Sequence, residues 1–90
     1  QKQYFDRLAR FGCVLCYNKF NIEGGGVELH HIRRFGGLRN DSPVIPLCPE
    51  HHRGNTGVHG IGRKAFEKLH KISEDDLLNI IIEKFGTQNG

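Results

Sequence analysis

Two segments concentrate side chains that bind metals or move protons: Glu28-Leu29-His30-His31-Ile32 and Leu47-Cys48-Pro49-Glu50-His51-His52-Arg53. Each sets adjacent histidines beside an apolar run, and the second adds a cysteine at x-x spacing from a histidine. Upstream, Cys13-Val14-Leu15-Cys16 supplies a further pair at the same spacing. Paired x-x spacings let two knuckles of chain grip one zinc ion from opposite sides, with four soft or borderline ligands in a tetrahedron. Cys13, Cys16, Cys48 and His51 meet that requirement. The spacing favours His51 over His52 as the fourth ligand. The long gap between the pairs ties two distant stretches of chain together, which is folding free energy supplied by the metal.

With His51 assigned to zinc, His30, His31, His52 and His59 remain near the same strand and turn. Neighbouring side chains on a strand point to opposite faces, so His30 and His31 divide between two tasks unless the strand end twists or bulges. One can bind a metal while the other addresses a water. Phosphodiester hydrolysis needs those two parts, a general base for the water and a divalent cation for the charge that builds at phosphorus and on the leaving oxygen. His70, on a helix among lysines, reads as an ordinary hydrogen-bonding histidine.

Size and composition frame this reading. Ninety residues make one small domain, 1–90, whose hydrophobic core is thin enough that a structural metal is a natural supplement. Three cysteines cannot close a disulfide framework, and Cys-x-x-Cys is zinc-like, so the expectation is a reducing, cytoplasmic setting. No stretch approaches the roughly 20 apolar residues of a membrane span, and no signal-peptide core is present, so a soluble protein with no membrane partner is expected. A chain that starts at Gln1 reads as the catalytic fragment of a longer one. The formal charge of +3 is modest, but between His31 and Lys64 lie Arg33, Arg34, Arg39, Arg53, Arg63 and Lys64 against only Asp41 and Glu50. That excess of cations surrounds the histidines where a phosphate backbone would lie, with Arg33, Arg34, Arg39 and Arg53 as the expected DNA contacts. Few aromatic residues stand near the site, which argues against reading bases by stacking.

The elements that must position these residues follow from period and punctuation. Tyr4, Phe5, Leu8 and Ala9 share a helical face, and Gly12 is placed to end that helix before the cysteines. Asn18 to Gly26 reads as loop, Val27 to Ile32 as a strand, Phe35 to Pro43 as loop, and Val44 to Leu47 as a second strand that Pro46 confines to an edge. Gly54, Gly57, Gly60 and Gly62 predict a tight connection rather than a continuous helix. Ile61, Ala65, Phe66, Leu69 and Ile72 give the next helical face. Ser73 to Asp76 forms a capping box that opens a last helix with Leu77, Leu78, Ile81, Ile82 and Phe85 as its stripe.

The ordered motifs resemble the HNH, or ββα-metal, endonuclease superfamily, through Glu28-Leu-His-His-Ile32, Pro46-Leu-Cys-Pro-Glu-His-His-Arg53 and Cys13-x-x-Cys16. More narrowly the chain is similar to the phage Ref family of RecA-dependent HNH nucleases. Leu8 to Cys16, Glu28 to Arg33, Ile45 to Cys48, His51 to Gly54, Gly57 to Gly60 and the following phenylalanine-containing helix carry that likeness. The resemblance implies an α+β fold, a small zinc-stapled ββα-metal, treble-clef-like core with an N-terminal helix and two C-terminal helices. It implies His31 as general base and His30, His52 and His59 as ligands of a catalytic divalent metal, with Asn55 a runner-up. Mg²⁺ is the expected ion, with Mn²⁺ or Zn²⁺ able to occupy the site. The superfamily usually places an asparagine before the second strand to orient the base; here Pro43 stands there, with Asn40, Asp41 and Ser42 as the nearby substitutes. DNA and a RecA filament are the implied partners, in a bacterial host or prophage setting.

Two other readings fit parts of the pattern. A non-catalytic treble-clef module that binds nucleic acid would share the zinc staple and the basic loop. A purely structural domain with two zinc ions would use all the histidines as ligands. His31 and the extra metal ligands discriminate the first from an enzyme, because pure binding has no need of them; two tightly held zinc ions that do not exchange for Mg²⁺ would mark the second.

Overall fold

The computed structural model describes residues 2–32 and 43–86. It is an α+β structure built on one antiparallel strand pair. Helix α1, Lys2–Phe11, buries Leu8 and Phe11 and half-buries Tyr4 and Phe5, while Ala9, expected on this face, is exposed. Gly12 ends the helix at φ +97°, a conformation that favours glycine. A Cβ there would meet Gly24 O at 2.4 Å, because Gly12 and Gly24 form a bridge that pins the following loop to the helix end.

Helix α2, Val14–Phe20, occupies residues whose second half the sequence assigned to loop. Seven residues are too few for a period to declare itself, and the signals are at its ends. The Cys13 thiol caps the N-terminus by accepting from Cys16 N at 3.4 Å, and Asn21 closes the C-terminus at φ 57°. Cys16 is therefore delivered by α2, with Cys13 at the junction of the two helices.

Strand β1, Glu28–His31, pairs antiparallel with β2, Val44–Leu47, in the register Glu28 with Leu47, Leu29 with Pro46, His30 with Ile45 and His31 with Val44. Both strands fall where the β-branched and apolar runs placed them, β1 one residue shorter at each end. Ile32 N still donates to Pro43 O at 2.9 Å just past the ladder. Pro46 is tolerated because each strand of a two-stranded sheet is an edge. All four residues of β2 are buried, and α1, α2, α3 and α6 pack against it.

After Cys48, which precedes Pro49 at the first helical position, come two single-turn helices, α3, Pro49–His52, and α4, Val58–Ile61. The glycine-rich segment between them is close-packed. A Cβ on Gly60 would lie 1.7 Å from Gly54 O, and one on Gly57 would lie 2.6 Å from Glu50 O. Helix α5, Arg63–His70, buries Phe66 and His70, whereas Ala65 is exposed and Leu69 is 51% exposed. The expected apolar face is thus rotated: the helix turns its Phe66 and His70 edge inward because His70 finds polar partners there. Helix α6, Glu74–Phe85, matches its expected stripe, with Leu77, Leu78 and Ile81 buried and Ile82 and Phe85 packed against them. Its capping box is complete: Asp76 N donates to Ser73 Oγ at 3.0 Å, and Ser73 N donates to Asp76 Oδ2 at 3.2 Å.

Candidate metal centres and catalytic cleft

The junction of α1 and α2 and the turn from β2 into α3 bring Cys13, Cys16, Cys48 and His51 together. The three sulfurs lie 3.4 to 3.6 Å from His51 Nδ1, and the Cys16 and Cys48 sulfurs are 4.0 Å apart. Zinc bonds of ordinary length in a regular tetrahedron put sulfur about 3.6 Å from nitrogen and about 3.8 Å from sulfur. The four side chains therefore match the edges of a zinc tetrahedron, and this cluster could hold such a metal. Burial pushes the Cys13 thiol up, and burial together with Cys13 and Cys48 pushes Cys16 up to about 12. The Cys13 and Cys16 thiols thus resist ionising by themselves, and a divalent cation reverses that preference. His51 is held below its usual range, first by burial and then by His70 and Lys19, which keeps it neutral as a ligand must be.

His70 is buried behind this cluster, its ring 5.3 Å from that of His51. Its Nε2 donates to Thr56 O at 2.8 Å, and Lys19 Nζ donates to Nδ1 at 3.0 Å. Thr56 in turn gives its N–H and its hydroxyl to Glu50 Oε2, at 3.1 and 2.8 Å. The loop between α3 and α4 is thereby bolted at Thr56 from both sides. His70 is a hydrogen-bonded interior histidine, in keeping with the reading of its sequence context.

A second group forms from β1, α3 and α4. His30, His52 and His59 each offer a ligand atom within 4.8 Å of the others, and their rings stand 4.9 to 5.2 Å apart. His30 is buried, at 3% exposure, and its Nε2 bonds Glu74 Oε2. His52 Nδ1 donates to Glu28 Oε1 at 2.7 Å. These bonds leave Nδ1 of His30 and Nε2 of His52 for a ligand. His30 Nδ1 is buried with no hydrogen-bond partner among the described residues, the state expected of an atom meant for a cation. Each of these two histidines thus gives one ring nitrogen to a carboxylate, an arrangement that fixes tautomer and orientation in metal sites.

Glu28 also accepts from Arg53 Nε, at 2.9 and 3.1 Å, and pairs with its Nη2 at 2.9 Å. Arg53 first and His52 second hold the Glu28 carboxyl down to about 2, and Glu28 raises Arg53. Arg53, expected to meet DNA, is an exposed side chain with its Nε and one terminal nitrogen committed to Glu28.

His31 is half-buried, and it lines the same cleft of about 560 Å³ as Leu29, His30, His52, His59, Arg63 and Glu74. Two neighbouring strand residues thus reach one cavity, at the end of β1 where the ladder stops. Arg33, Arg34 and Arg39, and the substitutes Asn40, Asp41 and Ser42 for an orienting group, lie outside the described residues. Asn55 is exposed in the loop between α3 and α4.

Sequence reasoning passed over Glu28 and Glu74 as site residues and did not single out Arg63. Strand alternation carries a signal for Glu28, two residues before His30 and so on the same side of β1. Glu74 offers only a weak one: it falls on the period of Leu77, Leu78 and Ile81.

The family model for recombination enhancement, RecA-dependent nucleases matches residues 1–85. The chain belongs to that family. The likeness to Ref nucleases read from its motifs is therefore correct, and the protein is a nuclease, hence an enzyme, of recombination. No curated protein and no solved structure matches the chain at a significant level. Among the described residues no helix is long and apolar enough to cross a membrane.

Proposed function

We propose that this family member is a metal-dependent DNA endonuclease of the HNH, ββα-metal type. The observation that carries the reading is the convergence of His31 with His30, His52 and His59 on one cleft, apart from the Cys13, Cys16, Cys48 and His51 cluster. The antiparallel pair β1 and β2 followed by α3, which bears both His51 and His52, supports it. Cys13, Cys16, Cys48 and His51 hold a structural Zn²⁺, and His30, His52 and His59 hold the catalytic divalent ion, Mg²⁺ in the cell with Mn²⁺ or Zn²⁺ as alternatives.

In this mechanism His31 takes a proton from a water as its oxygen attacks phosphorus, and the bond from phosphorus to the 3′ oxygen breaks. The products are a 5′-phosphate and, after the leaving oxygen is protonated, a 3′-hydroxyl. When bound, the divalent ion neutralises charge on the phosphoryl oxygens and on the leaving group. Glu28 and Glu74 hold the His52 and His30 rings in place. Arg63 lines the cleft at the start of α5, with no hydrogen-bond or ion-pair partner among the described residues, so it is available to a phosphate where Arg53 is partly committed. Arg33, Arg34 and Arg39 add flanking phosphate contacts. A RecA filament directs the cut, as the family description suggests.

The test is nicking of circular DNA by wild type and His31→Ala with Mg²⁺ or Mn²⁺, with RecA, a homologous oligonucleotide and ATP present or omitted. Cleavage by wild type that disappears in the variant is the expected result. A wild type that binds DNA and never nicks it, under any of these conditions, would leave a non-catalytic zinc module in its place.

A further inference from the structure

Glu74 occupies a position the core would fill with an apolar side chain. It is the first residue of α6 and precedes Leu77, Leu78 and Ile81 at three, four and seven residues, so the helical period turns it inward with them. Its side chain is 9% exposed, whereas Asp75 and Asp76, in the same turn, are exposed. A carboxylate in such a place loses hydration, a cost that the helix N-terminus and a hydrogen-bond partner offset. That partner is His30 of β1, through Nε2, with the histidine side chain 4% exposed. The other ring nitrogen of His30 is buried and makes no hydrogen bond among the described residues, while the ring belongs to the group with His52 and His59.

We infer that Glu74 is a positioning residue of the catalytic metal centre. It accepts the Nε2 hydrogen of His30, fixes the tautomer that leaves Nδ1 as ligand atom, and strengthens that atom as a donor by its negative charge. The start of α6 thus belongs to the functional site, and the capping box at Ser73 and Asp76 sets where Glu74 stands. Glu28 does the same for His52 from within β1, but it is partly exposed and shared with Arg53, so the two supports differ in strength. This inference rests on the reading that His30, His52 and His59 hold a divalent ion.

The test measures metal binding separately from cleavage. Zinc-loaded wild type, Glu74→Gln and Glu74→Asp are titrated with Mn²⁺ by calorimetry and with Co²⁺ by visible absorption, after circular dichroism establishes folding. Glu74→Gln should bind Mn²⁺ about 10- to 100-fold more weakly, with zinc content and Co²⁺ band positions unchanged. Nicking should fall at low Mn²⁺ and recover at saturation. Glu74→Asp keeps the charge on a shorter arm and should lose less; if Glu74→Gln fails to fold, it carries the comparison. Unchanged Mn²⁺ affinity in a folded variant would mean a purely structural role, and altered Co²⁺ band positions would make Glu74 itself a ligand; either overturns the inference. A wild type that shows this dependence yet never cuts DNA would sink the nuclease reading and leave the role of Glu74 standing. Absence of any Mn²⁺ or Co²⁺ binding beyond the zinc would remove both.

Discussion

His51 and His52 are adjacent in α3, yet His51 Nδ1 faces the three cysteine sulfurs while His52 gives its Nδ1 to Glu28 beside His30 and His59. A single helical turn therefore links the two clusters. Side chains one residue apart on a helix point about 100° away from each other, so neither can substitute for its neighbour. Whatever stabilises the cysteine cluster also fixes where His52 stands.

Removing zinc should therefore abolish more than stability. Cys48→Ser, or a strong chelator, is expected to lower the melting temperature sharply and to weaken divalent-metal binding at His52 as a consequence. Because burial raises the thiols of Cys13 and Cys16, zinc uptake must displace their protons. Apparent zinc affinity should rise with pH, measurable by competition with a chromophoric chelator between pH 6 and 8.

His31→Ala should reduce nicking by about 10²- to 10⁴-fold, the usual worth of a general base, with little change in DNA affinity or melting temperature. Single-turnover rates at saturating metal are the decisive measurement. A loss that extra metal restores would instead place His31 among the ligands.

Glu28 supplies a pH dependence whose sign can be stated. Its folded pKa is depressed from 4.5 to about 2 by Arg53 and His52, so its stabilising contribution is complete above about pH 4.5 and is lost as pH falls toward 2. Wild type should thus melt above Glu28→Gln at neutral pH, and the gap should close through that acid window. Thermal melts at matched ionic strength check this, and a gap independent of pH would contradict it.

Gly60→Ala tests the packing that carries His59. The added Cβ would fall 1.7 Å from Gly54 O, a backbone atom that cannot swing aside, so the α3 to α4 loop must shift. A loss of about 1–3 kcal/mol is expected, as for other forced overpacking, with weaker Mn²⁺ binding in the folded fraction. Gly62→Ala is not an equivalent control, since Gly62 has a positive φ.

Arg63→Ala should weaken DNA binding and reduce the slope of log affinity against log salt by about 1, as for one lost phosphate contact. Fluorescence anisotropy over a range of salt concentrations gives both quantities. An unchanged slope would show that Arg63 faces no phosphate.

The sequence by itself determined which cysteines and histidines gather into the two clusters, both strands, the α6 cap and stripe, and the family. Cysteine and histidine spacing, β-branched and apolar runs and turn residues are local rules, readable within a few residues. The pairing of His30 with Glu74, the commitment of Arg53 to Glu28, the inward turn of His70 and the existence of α2 were decided by the tertiary structure. Each depends on a partner distant in the chain or on caps at the ends of a short helix. Glu74 shows why most clearly. Its sequence context describes an ordinary helix start, and only the approach of β1 to α6 supplies the imidazole that makes a buried carboxylate tolerable and useful.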